Sequence, residues 1–274
     1  MSPSVPGTGR QRLRIGTIED REHCLLPESM LADLELDVGH QVRLGREEHC
    51  ALFTVVGADE AVVVSEAGRD RLGTEGPVWV DSTVETLPDG AVAGSFLEAV
   101  AEGGDHLVAC APHGGQMEEW TDAQAEALAA DLGGTAWVCR GRWPDWEAFH
   151  RWHVTSNDIH PASFPKLGAI ADQGFDRAVS FHAWRKEGVG VGGAAPRELR
   201  VDVRDAIDEA VGEDHPVTLA SDDRYRGDSP ENVVNWLTAD GASGIQIEQG
   251  RAVREDHRED IAEAVARVLG DRSE

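Results

Sequence analysis

From residue 106 onward, short apolar runs alternate with stretches whose apolar positions recur every three to four residues. That alternation predicts strands at 106–111, 135–140, 177–182, 216–221 and 244–248, and helices at 121–132, 164–173, 196–212, 230–239 and 256–269. A further helix is expected over 95–103. Asp122, Pro196 and Pro230 suit helix starts, because each satisfies or forgoes an orphan N–H. Strands that alternate with helices give a largely parallel sheet covered on its faces by helices, an α/β fold.

The N-terminal part follows another rule. Gln41–Leu44, Leu52–Val56, Ala61–Val64 and Pro77–Val80 are short alternating segments divided by glycine and acidic turns, with a short helix expected around Pro27–Leu36. This predicts a small β barrel. The phrase Leu36-Asp37-Val38-Gly39-His40-Gln41-Val42-Arg43 resembles the turn and strand of double-psi barrel domains. Two domains are therefore expected, residues 1–90 and 91–274, joined by the linker Thr86-Leu87-Pro88-Asp89-Gly90.

Charge changes the picture of the surface. The chain of 274 residues has 51 Asp and Glu against 25 Lys and Arg, a formal net charge of −26, and its only lysines are Lys166 and Lys186. An acidic excess with arginine favoured over lysine suits molar salt, where the Debye length falls to about 3 Å and self-repulsion is screened. Such a surface excludes nucleic acid as a partner, since phosphate binding needs a basic footprint. Cys24, Cys50, Cys110 and Cys139 form no C-x-x-C pair and read as buried thiols; the His23-Cys24 and His49-Cys50 dipeptides allow a second metal site only if side chains of opposite facing converge. The start of the chain shows no apolar signal region and no run approaches a membrane span, so a cytoplasmic protein without membrane contact is expected.

Candidate chemistry centres on Ala111-Pro112-His113-Gly114-Gly115-Gln116-Met117-Glu118, after the apolar run Leu107–Cys110. A strand that ends in a double-glycine turn presents His113 and Glu118 together, and imidazole with carboxylate is a ligand set of hydrolytic zinc. His182, which ends the apolar run Arg177–Phe181, is the candidate third ligand at the carboxyl edge of the sheet. Taken singly, each has an ordinary explanation: a hydrogen-bonded histidine at a strand end, or a glutamate favoured by a helix dipole. Glu248 closes Ile245-Gln246-Ile247 and would be either a solvated strand-end residue or a proton acceptor. Arg254 would be either an exposed ion-pair partner of Glu255 or Asp256 or a fork for a carboxylate or carbonyl.

These motifs resemble the poly-gamma-glutamate hydrolases first described from phages. The resemblance spans roughly residues 95–270 and rests on His113-Gly114-Gly115 through Glu118 and Thr121, His153-Val154-Thr155-Ser156, Ser180-Phe181-His182, Val191-Gly192-Gly193, Asn232-Val233-Val234-Asn235 and Gly244-Ile245-Gln246-Ile247-Glu248, in family order. It implies a zinc-carboxypeptidase-like fold, one zinc per chain on His113, Glu118 and His182, Glu248 as general base, and Arg254 as a substrate-polarising or clamping arginine. By the same resemblance His153, Thr155 and Ser156 line the substrate pocket. The chain departs from the family at Met117, where a branched aliphatic is common, and at Asp158-Ile159-His160.

Five of the eight tryptophans fall between Trp120 and Trp152. The segment Arg142–Trp152 is then either an aromatic lid that brings Arg142 and Arg151 to the substrate or a packed loop. The expected activity is hydrolysis of amide bonds, γ-glutamyl linkages foremost, in an anionic peptide-like substrate. The alternatives are a zinc amidohydrolase of another small acyl or aminoacyl compound, and a non-catalytic metal-binding interaction protein.

Overall fold

The computed structural model describes residues 9–86 and 94–271. The expected linker thus lies outside the described residues apart from Thr86. The chain forms two compact units, one from Met1–Leu97 with Gly141–Gly168, the other from Glu98–Arg140 with Ala169–Glu274. Residues 141–168, expected in the second domain, therefore cluster with the first unit.

The first unit carries β1 (Leu13–Ile15), β2 (His23–Leu26), α1 (Glu28–Asp33), β3 (Gln41–Arg46), β4 (His49–Ala58), β5 (Val62–Val64), α2 (Glu66–Leu72) and β6 (Trp79–Asp81). Their sheet order is β1-β5-β2-β4-β3-β6, and a two-bond bridge between Gln11 and Val78 joins the approaches to β1 and β6, the two edge strands. The expected barrel is thereby closed. Its interior is apolar, with Leu26, Val42, Leu44, Phe53, Val55, Val64 and Val80 fully buried. β1, β2 and α2 were not foreseen, because their runs are too short for a periodicity to show.

A buried cation is among the groups that bind residues 141–168 into the first unit. Arg71, wholly enclosed, donates to the carbonyls of His150, Arg151 and His153, and burial lowers its pKa to about 10. Trp143 and Trp152 stack edge to face at 5.4 Å, Phe96 lies 5.8 Å from Trp152, and both indoles are buried. The tryptophan segment is thus a packed loop; among its indoles only Trp146 is exposed.

The second unit's sheet contains β7 (Ser95–Ala101), β8 (Gly104–Gly115), β9 (Gly134–Arg142), β10 (Arg177–Ala183), β11 (Val189–Gly192), β12 (Val217–Leu219) and β13 (Gly244–Gln249), in the order β12-β11-β13-β10-β8-β9-β7. β10 is parallel to both β8 and β13, whereas β11 is antiparallel to β13, so the sheet is mixed. The helix expected at 95–103 is β7. Its Phe96 and Glu98 are buried while Leu97 is exposed, a two-residue alternation, and Glu98 accepts from Trp137 Nε1 at 2.8 Å. Sheet pairing there overrides a helix-favouring composition.

The helices are α3 (Thr121–Leu132), α4 (Ala148–Trp152), α5 (Pro165–Ile170), α6 (Arg197–Val211), α7 (Val233–Trp236) and α8 (Arg251–Gly270). α6 buries Leu199, Val203, Ile207 and Val211, a stripe at four-residue spacing, into a core with Val179, Phe181, Ile245, Ile247, Ile261 and Val265. All four cysteines are buried and none is in a disulfide among the described residues, and burial drives the Cys24, Cys50 and Cys110 thiols far up, Cys50 to about 12. His23 bonds Asp158 at 2.8 Å while Cys24 lies in the barrel core, so this pair spends its polar member elsewhere. No helix among the described residues is long and apolar enough to cross a membrane.

Candidate metal centre

β8 ends where its backbone must pass close to other atoms. A Cβ on Gly114 would lie 2.6 Å from Asp122 Cβ and 2.8 Å from the Cys139 carbonyl, and Gly115 has a φ of +71°. Both positions therefore require glycine. The turn they allow returns the Glu118 N–H to the His113 carbonyl at 2.8 Å, and Thr121 Oγ1 donates to the Glu118 carbonyl at 2.8 Å at the start of α3. Trp120, at a φ of +72°, completes the turn.

His182 arrives on β10, parallel to β8, and meets the other two. His113 Nδ1 and His182 Nδ1 are 3.2 Å apart, and Glu118 Oε2 lies 3.4 Å from each. Glu118 Oε2 also accepts from the Ala183 N–H at 3.1 Å. All three side chains are buried. Burial raises the carboxyl pKa of Glu118, but the two imidazoles outweigh it and hold the group below its ordinary range, ionised. Burial lowers the pKa of His182, against the pull of Glu118.

This donor set fits a tetrahedral divalent metal. Ligand atoms about 2.0–2.1 Å from zinc stand about 3.3 Å from one another, close to the spacing found here. The lowered pKa values of Glu118 and His182 both favour the deprotonated forms that a metal requires. His182 Nε2, the ring nitrogen outside this triangle, is buried without a hydrogen-bond partner among the described residues.

Glu248 is the Cα partner of His182 on β13. It is buried, and burial first, then the charge of Glu118, raises its pKa well above the carboxylate norm; Gln246, Arg254 and Lys186 oppose the rise. Gln246 Nε2 donates to Glu248 Oε1 at 2.9 Å. Arg254 is buried at the start of α8, where Nη1 donates to the Gln249 carbonyl at 2.6 Å and Nε to the Glu119 carbonyl at 3.2 Å. The ion pair expected with Glu255 is made instead by Arg251, at 3.0 Å.

The other expected substrate residues belong to the first unit. His153 Nδ1 bonds Glu22 Oε1 at 2.8 Å and the Thr155 N–H donates to Glu22 Oε2 at 3.1 Å. Arg151 donates to the Arg71 carbonyl, pairs with Glu147 at 3.0 Å and lies 4.8 Å from the Trp143 ring, so its fork is occupied locally. Arg142 has an exposed side chain and gives its carbonyl to Trp152 Nε1; Ser156 is buried. Sequence reasoning gave Gln246 no role. The signal was present: an amide between Ile245 and Ile247 shares a strand face with Glu248.

Two imidazoles and a carboxylate delivered to one edge of an α/β sheet, with a second buried carboxylate at the next strand position, define the class: a metal-dependent hydrolase. A family model described as poly-gamma-glutamate hydrolase matches residues 92–265, more than half of the chain. The protein belongs to the poly-gamma-glutamate hydrolase family. The solved structure of a bacteriophage poly-gamma-glutamate hydrolase is similar with a TM-score of 0.55 and 22% identity, over 69% of this chain and 92% of that one. The zinc-free apo form of YNDL is similar with a TM-score of 0.54 and 21% identity, over 65% of this chain and 90% of that one. No individually curated protein matches the sequence.

Proposed function

We propose that the protein hydrolyses γ-glutamyl amide bonds with one zinc ion held by His113, Glu118 and His182, and with Glu248 as general base. The observation that carries this reading is the triangle of His113 Nδ1, His182 Nδ1 and Glu118 Oε2, with edges of 3.2, 3.4 and 3.4 Å. The family's description supplies the polymer class. The metal, when bound, supplies Lewis acidity toward the scissile carbonyl.

The remaining work falls to side chains. Glu248, whose proton affinity is raised by burial and by Glu118, takes a proton from the attacking water and passes it to the departing amine. Arg254 is aimed by its bonds to the Gln249 and Glu119 carbonyls, and the N–H groups left over face the α-carboxylate that a γ-linked residue carries beside its scissile amide. Arg151 takes no part in this reading, because it braces Arg71 and Trp143.

The test compares γ- and α-linked glutamate oligomers in molar salt, where repulsion between enzyme and substrate is screened. The γ isomer is expected to be cleaved at least about tenfold better, about 1.4 kcal/mol of discrimination, and Arg254→Lys to erode the preference because a planar fork is lost. Equal rates, or faster cleavage of an acyl amide without a neighbouring carboxylate, would transfer the assignment to an amidohydrolase of small acyl compounds.

A further inference from the structure

Ile245 and Ile247 enter the apolar core, while Gln246 and Glu248 alternate with them along β13 and so project from the opposite face. Gln246 is only 4% exposed, and a buried primary amide is costly unless its donors and its acceptor are met. Here they are met. Oε1 accepts from Asn232 Nδ2 at 2.9 Å, and Nε2 donates to Glu248 Oε1 at 2.9 Å and to the Tyr225 carbonyl at 3.3 Å. Asn232 is buried too, and its Oδ1 accepts from the Val234 N–H at 3.1 Å, which caps α7. Gly227 closes the surroundings: a Cβ there would come within 2.6 Å of the Gln246 carboxamide.

The direction of the chain of bonds follows from its first member. A backbone N–H can only donate, so Val234 draws Asn232 Oδ1 to itself and leaves Nδ2 facing Gln246. Nδ2 can only donate, so Gln246 turns Oε1 toward it and presents Nε2 to Glu248. Nε2 can only donate, so Glu248 Oε1 must accept. We infer that Asn232 and Gln246 form a one-way relay that keeps Glu248 Oε1 an acceptor and thereby assigns proton transfer to Oε2.

The inference rests on the reading of Glu248 as general base. An O–H bond of the attacking water breaks as an Oε2–H bond forms, and that bond breaks as N–H forms on the departing amine. A carboxylate held by one oxygen keeps the other in a single orientation, so no rotamer search intervenes between the two transfers. Asn232 and Gln246 are positioning residues: neither needs to touch the substrate.

Asn232→Asp keeps the acceptor for Val234 and removes the donor to Gln246. Gln246 is then expected to turn its NH2 toward position 232 and its carbonyl toward Glu248, which places the Glu248 proton on the wrong oxygen. On whichever amide the wild type hydrolyses, kcat should fall at least about tenfold, a fraction of what a general base contributes, while KM, zinc content and melting temperature stay near wild type. A folded, zinc-replete Asn232→Asp with unchanged kcat would overturn the relay.

A second measurement needs no activity and covers the case of a variant that misfolds. In side-chain amide NMR of the protein with and without zinc, Glu248→Ala should shift the Gln246 and Asn232 NH2 resonances together. The Asn235 NH2, which donates to the Gly227 and Ser229 carbonyls, should stay in place as the control. Gln246 and Asn232 resonances indifferent to Glu248→Ala would overturn the relay by themselves. Coupled resonances in a wild type that cleaves no γ-glutamyl bond would retain the relay and discard the proposed function.

Discussion

His182 and Glu248 are partners across the parallel strands β10 and β13, so a metal-ligand candidate and the candidate base stand at neighbouring strand positions, about 4.8 Å apart along the sheet. Proximity of this kind makes their roles separable by experiment, since each can be removed while the other keeps its strand.

For the metal, His182→Ala is expected to lose most of about one equivalent of zinc carried by the wild type isolated in high salt, because two protein ligands make a weak shell. Elemental analysis reads this directly. Full zinc retention would remove His182 from the ligand set.

For the chemistry, Glu248→Gln keeps the side-chain shape and deletes the basic lone pair. Zinc content should stay near wild type while hydrolysis falls by about 10² to 10⁴. If the variant is stripped of metal instead, Glu248 is a ligand and another group is the base.

Acid should weaken the first unit through Glu22. Burial alone would raise its pKa, but the hydrogen bond and charge of His153, with Arg71 and Arg21, bring it from 4.5 down to about 2. A carboxyl with a lowered folded-state pKa stabilises the fold above its unfolded value and ceases to do so as pH falls through the folded one. Between pH 4.5 and 2 the wild type should lose on the order of 3 kcal/mol that Glu22→Gln never had. Denaturant melts of both proteins across that window check it, and parallel losses would refute it.

Salt should matter to the whole chain. With a net charge of −26, the melting temperature should fall as potassium chloride is dialysed from molar levels to about 10 mM, where the Debye length grows to about 30 Å. A salt-independent melting temperature would end the reading of this surface as adapted to brine.

Much of the candidate site could be proposed from sequence because its residues close apolar runs. His113, His182 and Glu248 each follow a strand core long enough to be recognised, and the double glycine after His113 marks the turn that brings Glu118 back. What escaped reading has physical causes. β11 is Val-Gly-Val-Gly, and its Gly190 is required because a Cβ would lie 2.4 Å from the Trp184 ring, a long-range fact absent from any local pattern. The β7 segment is written in helix-forming residues and becomes a strand through its sheet neighbours. The attachment of residues 141–168 runs through Arg71, a buried cation some 80 positions away in sequence, and through Glu22 and His23, more than 130 positions away.

That attachment has a consequence for how the chain comes to be folded at all. The backbone leaves the first unit after Leu97, re-enters it at Gly141 and leaves again after Gly168. During synthesis the barrel therefore emerges early but waits for Gly168 before its last partners exist, and by then β8, α3 and β9 have already been made. Arg71 spends that interval without the carbonyls of residues 150–153, and the second unit stays unfinished until α8 is released. Maturation is interleaved rather than sequential, and no single cut in the gene yields both halves whole.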